Sequence, residues 1–477
     1  MKKESFFAGS KSFYTHLVVM LLIMILFRFL PPFGQMTVDG MGVFGVFLGT
    51  LYGWIFLNNM GVASAVGMIM IGTTAAFGSP TEAIVATLGS QTVIMVIAAF
   101  ALTAIMNDSG ASIWLARRIV SLKFGKKYPT GLLILFMVAM FVIGPFTGFA
   151  GIILMWNMWR DVVRSANGSD TLLKFGIAAS FLSGSCANQV LPFTTTIIVL
   201  DGVWESYTGL PAANFIPFFC YMTLIGLITC ILFVLCGKYI FKVEMINTKN
   251  VDIPKEAPTT YQKVVLVGLL AYFVLMIIAS LGLGEVSAYL NGWGVIGLCT
   301  ALLIIITMMQ PREGKKTYHQ YMSAAINWDI VLNAGVIFMF SQKLTGAEIG
   351  LSSTIESALG FMTTLGPVWF VLLITLIPLI ATQFMSNMAL ATIFIPICYT
   401  FASSLGLNVY ALNCSMYHVS SMALATPAGS AGAAIYYSYE ENDNKTSLKY
   451  GWTIVACTFI ATIFCYYVLG NLIFPMQ

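Results

Sequence analysis

The sequence predicts an all-α polytopic membrane protein, with about 11 transmembrane helices and two re-entrant hairpins in an inverted repeat. Three observations carry this prediction. Hydrophobic residues make up 58% of the 477 residues and charged residues 9%, against about 25% charged in an average soluble domain. Apolar runs long enough to cross the hydrocarbon core recur along the whole chain. Two further runs are too long for one crossing and carry breaks in the middle. A mean hydropathy of +0.88 leaves too little polar surface for soluble domains. It excludes a soluble enzyme, a disordered chain and a nucleic-acid binder, whose basic face needs far more Lys and Arg. The net charge of +4 does not itself specify a partner. The placement of the charges is the informative part.

The first sixteen residues, MKKESFFAGSKSFYTH, are basic and lead into an apolar run without a small-x-small cleavage site. They read as the cytoplasmic start of an uncleaved first span. Spans are expected near 16–31, 42–58, 61–78, 87–106, 172–200, 212–241, 262–283, 291–310, 326–343, 405–435 and 451–473. Between the fourth and the next lies 110–127, with Ile113, Leu115, Ile119, Val120, Leu122 and Phe124 set against basic residues. It reads as an amphipathic helix in the interface. The two overlong runs are 130–165 and 363–402.

Cytoplasmic loops collect Lys and Arg. Basic clusters flank 130–165 on both sides: Arg117, Arg118, Lys123, Lys126 and Lys127 before it, and Arg160, Arg164 and Lys174 after it. The run therefore enters and leaves on one face, as a hairpin with Gly144-Pro145-Phe146-Thr147-Gly148 near its tip. If 363–402 is a second hairpin entered from the other face, all 23 basic residues except Arg28 and Lys343 lie inside. The N-terminus is then cytoplasmic and the C-terminus outside, as expected for a plasma-membrane protein.

Each hairpin is followed by a span interrupted at a proline. The first reads SGSCANQVLPFTTTI around Pro192, and the second VSSMALATPAGSAGA around Pro427. The expected division is 1–85 for N-terminal scaffold helices, 86–241 for the first repeat, 242–262 for a cytoplasmic linker, 263–325 for further scaffold helices and 326–477 for the second repeat. Inverted repeats with interrupted helices at matching positions are the mark of a secondary transporter, its site between the repeats.

The breaks supply the chemistry. Half-helix N-termini present free N–H groups that suit carboxylate oxygens, and unwound carbonyls coordinate small cations. At the second tip, Ser386 and Asn387 bring a hydroxyl and an amide to the start of a new helix. As a cap they would satisfy helix donors; as ligands they would hold an anion. Ser183, Ser185, Asn188, Gln189, Thr194, Thr195 and Thr196 surround Pro192, and Ser420, Ser421, Thr426, Gly429 and Ser430 surround Pro427. Asp329 is read as interfacial, beside Trp328. His418 is read as a packed, hydrogen-bonded histidine. The nine cysteines form no CxxC, and no His–Cys cluster has metal spacing. No P-loop is present. The rivals are a carrier of another solute in the same broad superfamily, proton-coupled or a sodium/proton antiporter, the latter needing more embedded carboxylates than Asp329 and Glu348; an intramembrane enzyme, for which His418 and Ser420 face different directions; and a channel.

These elements together resemble the divalent anion/sodium symporter family, the dicarboxylate, citrate and sulfate carriers, from about residue 40 to the end. That family carries a Ser-Asn-Thr tip in each repeat, a Leu-x-Pro-Ile helix end and an Ala-Thr-Pro element. Here these correspond to Ser386-Asn387-Met388, Ile395-Pro396-Ile397 and Ala425-Thr426-Pro427. The resemblance implies a small organic anion as substrate, held by Ser386, Asn387, Thr426 and Pro427 with Thr147, Gly148 and Asn188 as first-repeat counterparts. It implies sodium ions near Ser185, Thr194, Ser420, Ser421 and Gly429, a homodimer in the lipid bilayer, and no other cofactor or metal. The first tip reads Thr147-Gly148-Phe149 where the family has Ser-Asn-Thr, with Asn188 as the substitute amide. That departure leaves sodium, proton or counter-anion coupling open.

Overall fold

The structure is a computed structural model. It describes residues 11–475 except 58, 129, 246–255, 282, 311–315, 318, 321, 322, 324, 325, 345, 347, 352, 355, 356, 358–363, 365, 385, 386 and 428. It is helical throughout, with no strand among the described residues. The first half contains α1 (Lys11–Leu26), α2 (Val38–Phe56), α3 (Met60–Ile71), α4 (Pro80–Leu88), α5 (Gln91–Asp108), α6 (Ala111–Val120), α7 (Lys123–Lys127), α8 (Gly131–Ser165), α9 (Asp170–Ala187), α10 (Thr195–Thr208) and α11 (Phe215–Leu235). The second contains α12 (Thr260–Ser280), α13 (Glu285–Met308), α14 (Trp328–Leu344), α15 (Pro367–Ala381), α16 (Asn387–Ser404), α17 (Val409–Ser421), α18 (Ala431–Ser438) and α19 (Asn444–Ile473).

Among the described residues, five helical stretches are long and apolar enough to cross a membrane: Ser12–Phe29, Val38–Phe56, Phe215–Ile240, Thr260–Ala279 and Asn444–Ile473. Two bent pairs make it up to seven. One is α5 with α6, bent by 63° at Gly110, whose φ of 65° is costly for any residue with a Cβ. The other lies inside α13, where the single straight span expected over 291–310 is corrected. Gly294 (φ 61°, ψ −179°) is not helical, and the two arms diverge by 77°.

The chain divides into two discontinuous units. The first comprises 1–96, 202–211 and 327–366. In it Gly45, Gly49 and Gly53 recur at every fourth residue along α2. A Cβ on them would strike Phe27, Met24 and Met20 respectively, so the stripe lets α1 and the turn after it approach the backbone closely. Phe47 and Phe340 pack edge to face at 5.4 Å. This unit also contains Arg28 and Lys343, the two basic residues that the expected topology leaves outside. Arg28 donates to the Met70 and Thr73 carbonyls at 3.3 and 3.1 Å, closing the end of α3. The Lys343 ammonium lies 4.3 Å over the Phe77 ring, a cation–π contact. Each is held by local partners. Asp329 is exposed.

The second unit comprises 97–201, 212–326 and 367–477 and contains both hairpins. The helical run α8 doubles back on itself. The Phe136 and Trp159 rings are 5.0 Å apart, whereas 23 residues of straight helix would separate them by about 34 Å. Both arms rest on α9. A Cβ at Gly184 would lie 2.8 Å from Ile152 of one arm and 3.1 Å from Met140 of the other. Ser183 donates to the Met137 carbonyl at 2.6 Å. The second hairpin is α15 and α16, where Phe370 and Phe401 face each other at 6.1 Å.

At one end of this unit, three ion pairs join α8 and α9 to the segment before α19. They are Arg160 with Glu440, Arg164 with Glu441, and Lys174 with Asp443 at 2.8 Å. The Lys174 ammonium and the Thr446 N–H hold the Asp443 carboxyl down at about 2. Because that value lies below the unfolded one, the contribution is complete above pH 3.8 and disappears as pH falls through about 2. Asp443 is 46% exposed, so its worth is about 1 kcal/mol or less. Lys174→Met is expected to lower the unfolding midpoint slightly at pH 6 and not at pH 2, as read by thermal denaturation in detergent.

Candidate functional site

The site forms where the second hairpin meets the second broken span. After α15 the chain leaves the helix at Thr382 and Gln383, both fully buried. After α17 it unwinds over 422–430 before α18. Each break exposes N–H and C=O groups that hydrocarbon cannot satisfy. Gln383 satisfies much of that demand. Its amide nitrogen donates to the Leu379 carbonyl at 2.9 Å and the Met422 carbonyl at 2.8 Å. Its amide oxygen accepts the Ala425 N–H at 2.8 Å. Its backbone carbonyl accepts the Thr426 hydroxyl.

Thr382 makes the second link. Its hydroxyl lies 2.8 Å from the Asn387 amide oxygen and 2.5 Å from the Ser420 carbonyl. Gly429 is buried against the same strip; a Cβ there would lie 3.2 Å from the Thr382 carbonyl. Ser430 caps α18 through the Ala433 N–H. Tyr437 donates to the Ala425 carbonyl at 2.6 Å. The Ser421 hydroxyl is buried and has no hydrogen-bond partner among the described residues. A buried orphan hydroxyl costs about 1–3 kcal/mol.

Of the expected site residues, Asn387, Thr426, Ser420, Ser421 and Gly429 thus come together around Thr382 and Gln383. Pro427 is beside them and exposed. Ser386 lies outside the described residues. The sequence reading did not single out Thr382 or Gln383 as site residues. Gln383 carried a usable signal, since a glutamine within an apolar run is expensive unless employed.

The first repeat is built differently. Thr147 is buried and donates to the Ile143 carbonyl at 3.0 Å, so its hydroxyl is spent within its own helix. Gly148 follows Thr147 within α8. Phe146 faces Phe193 at 6.5 Å across the tip and the break. Phe193 packs on Tyr272 at 4.9 Å. Thr194 donates to the Leu191 carbonyl at 3.1 Å. The Ser185 carbonyl accepts the Gln189 amide at 3.0 Å. Asn188 caps the end of α9, and its side chain makes no hydrogen bond with the described residues. Tip and break here meet through aromatic rings, whereas in the second repeat they meet through amides and hydroxyls.

His418 joins the two broken spans. It sits on α17 just before the second break and is buried. Its Nδ1 lies 2.9 Å from the Gln189 amide oxygen and its Nε2 3.3 Å from the Thr229 hydroxyl. One residue before it, Tyr417 donates to Asp201 at 2.9 Å. The neighbouring Ser420 hydroxyl donates instead to the Met416 carbonyl at 2.8 Å, so these two form no catalytic dyad. No group of three or more metal-ligating side chains occurs among the described residues.

Comparison with known proteins agrees with this architecture. The Alcanivorax borkumensis YdaH transporter, a crystal structure described as having an unusual topology, is similar to this chain over 98% of its length and 100% of the other, at a TM-score of 0.59 and 16% identity. At that identity the likeness concerns the fold. No curated protein matches the sequence. The family model for citrate transporters, CitMHS, matches residues 50–429, which include both hairpins and the second break as far as Gly429. This multi-pass membrane protein therefore belongs to the CitMHS citrate transporter family.

Proposed function

We propose that this protein is a secondary active transporter of a small organic anion of the di- or tricarboxylate type, working by alternating access. The observation that carries the proposal is the free polar set left at the breaks: the Ser421 hydroxyl, the Asn387 amide nitrogen and the Asn188 side chain. All lie in the unit that holds both hairpins. A carboxylate accepts hydrogen bonds only, and each of these groups can donate, as can the hydroxyls of Ser386 and Thr426. The N-terminus is cytoplasmic, the C-terminus outside, and the protein works in the plasma membrane as a homodimer. Sodium, where it serves as the coupling ion, sits by the second break near Ser420, Ser421 and the Thr382 carbonyl. The aromatic junction of the first repeat is poorly suited to a cation.

The test is uptake of labelled citrate and succinate into proteoliposomes under an inward sodium gradient, under an inward proton gradient, and with unlabelled anion trapped inside. Asn387→Ala is expected to lower uptake about 10- to 100-fold, the worth of one hydrogen bond to a charged group, while leaving the unfolding midpoint nearly unchanged. No uptake of either anion in any arm would end the carboxylate reading.

A second reading, proton coupling, is favoured by His418. Gln189 spends its amide N–H on Ser185, so its oxygen must accept from Nδ1–H. Thr229 donates to the Ile225 carbonyl at 2.8 Å, so its oxygen turns a lone pair toward Nε2. That leaves a place for one more proton between two acceptors. Under this reading His418→Gln abolishes uptake driven by a proton gradient and spares exchange. Equal loss in both arms would make the residue structural.

A further inference from the structure

Away from the breaks, the second unit has a cavity of about 300 Å³ between the start of α12 and the face of α6. It is lined by Gly110, Trp114, Arg117, Arg118, Glu256 and Gln262, among others. We propose that this cavity binds the phosphodiester headgroup of a membrane glycerophospholipid.

Four observations support the assignment. First, the walls carry cationic and neutral donors. Arg118 is exposed, and its guanidinium has no partner among the described residues. The Gln262 side chain gives its oxygen to the Thr259 N–H at 3.0 Å, which leaves its amide nitrogen free to donate. Arg117 is only loosely engaged, 3.8 Å from Glu256. A guanidinium pair suits a phosphate oxygen pair in geometry as well as charge.

Second, the cavity is braced. The Trp114 indole N–H donates to the Glu256 carbonyl at 2.9 Å, and Thr259 and Gln262 form a reciprocal cap on α12. The first contact joins the two walls and the second orders the start of the α12 wall. Third, the surroundings are those of a membrane surface. Leu122, Phe124 and Tyr128 just beyond α6 are large and exposed, and Lys123 and Lys127 stand among them. Apolar residues interleaved with bases anchor a segment at the headgroup level. A soluble anion would gain nothing from them, whereas a lipid brings acyl chains to cover them.

Fourth, Glu256 sets the choice of headgroup. Its carboxylate is 74% exposed and faces the same space as the two arginines. An ammonium or a hydroxyl next to the phosphodiester would meet it, and a second negative charge would be repelled. Phosphatidylethanolamine and phosphatidylglycerol satisfy this arrangement; a phosphomonoester such as phosphatidic acid does not.

The experiment is native mass spectrometry of the full-length protein in detergent, titrated separately with phosphatidylglycerol, phosphatidylethanolamine, phosphatidic acid and soluble glycerol 3-phosphate. The expected result is a first lipid bound about tenfold more weakly by Arg118→Gln, and more weakly still by the Arg117→Gln, Arg118→Gln double variant. Glu256→Gln is expected to act in the opposite direction for phosphatidic acid and to weaken phosphatidylethanolamine. Those opposed shifts cannot come from misfolding. Equal lipid retention by all variants would overturn the proposal. So would glycerol 3-phosphate competing at the affinity of the lipids, since the site would then serve a soluble anion.

Discussion

Replacing Gln383 with alanine is expected to abolish transport and to remove about 3–5 kcal/mol of stability. The side chain is fully buried and makes three hydrogen bonds that reach both broken segments. Truncation leaves the Ala425 N–H and the Met422 carbonyl buried without that partner, each costing about 1–3 kcal/mol. The cost is not offset by water unless the break floods, and a flooded break would no longer hold its geometry. Gln383→Glu separates the two halves of the effect. It keeps the acceptor for Ala425 but turns an oxygen toward two carbonyls, so it is expected to fail nearly as badly at neutral pH. The readouts are uptake in proteoliposomes and the thermal midpoint followed with a thiol-reactive dye. The dye suits this chain because eight of its nine cysteines are buried or half-buried. A Gln383→Ala protein with an unchanged midpoint would show that the two breaks do not depend on this side chain.

The second large effect is expected at Gly176. The Trp159 indole lies flat over it, close enough that any Cβ would collide with the ring. The ring cannot retreat. Phe136 packs against it edge to face, and its N–H is tied to the Leu173 carbonyl at 3.1 Å. Gly176→Ala therefore overpacks a fully buried contact and should cost about 2–3 kcal/mol. The prediction is specific enough to carry its own rescue. Trp159→Phe creates room at the same point, so the double variant should be more stable than the sum of the two single changes predicts. Additive losses would place the fault in the helix rather than in the ring.

The hairpins were legible because charge and length conflict. No single helix can take up 130–165 with bases at both ends, and the Phe136–Trp159 contact shows the reversal directly. The breaks were legible from Pro192 and Pro427 and from the small polar residues around them. The junctions between these parts were not. His418 meets Gln189 across 229 residues of sequence, and nothing local in either segment announces the other. The family resemblance makes Thr147 the counterpart of a ligand, and a threonine inside a helix can also satisfy itself on the carbonyl four residues back, as Thr147 does here. The kink at Gly294 was hidden for a simpler reason. One glycine in an apolar run is compatible with a straight helix or a bent one, and tertiary packing decides.

The reversal in α8 also constrains how the protein is made. The insertion machinery releases ordinary spans one at a time, each satisfied within itself. This hairpin is different, because both of its arms are completed by α9, which the ribosome has not yet delivered. About 40 residues separate the tip from the end of α9, or about 2–8 s of synthesis at typical rates. Through that interval the segment has a bent backbone and no surface to settle on. It must wait at the edge of the bilayer or in the translocon until Gly176 and Gly184 arrive. A nascent chain arrested before residue 187 should therefore leave 131–165 open to protease, and one arrested after α9 has cleared the exit should protect it.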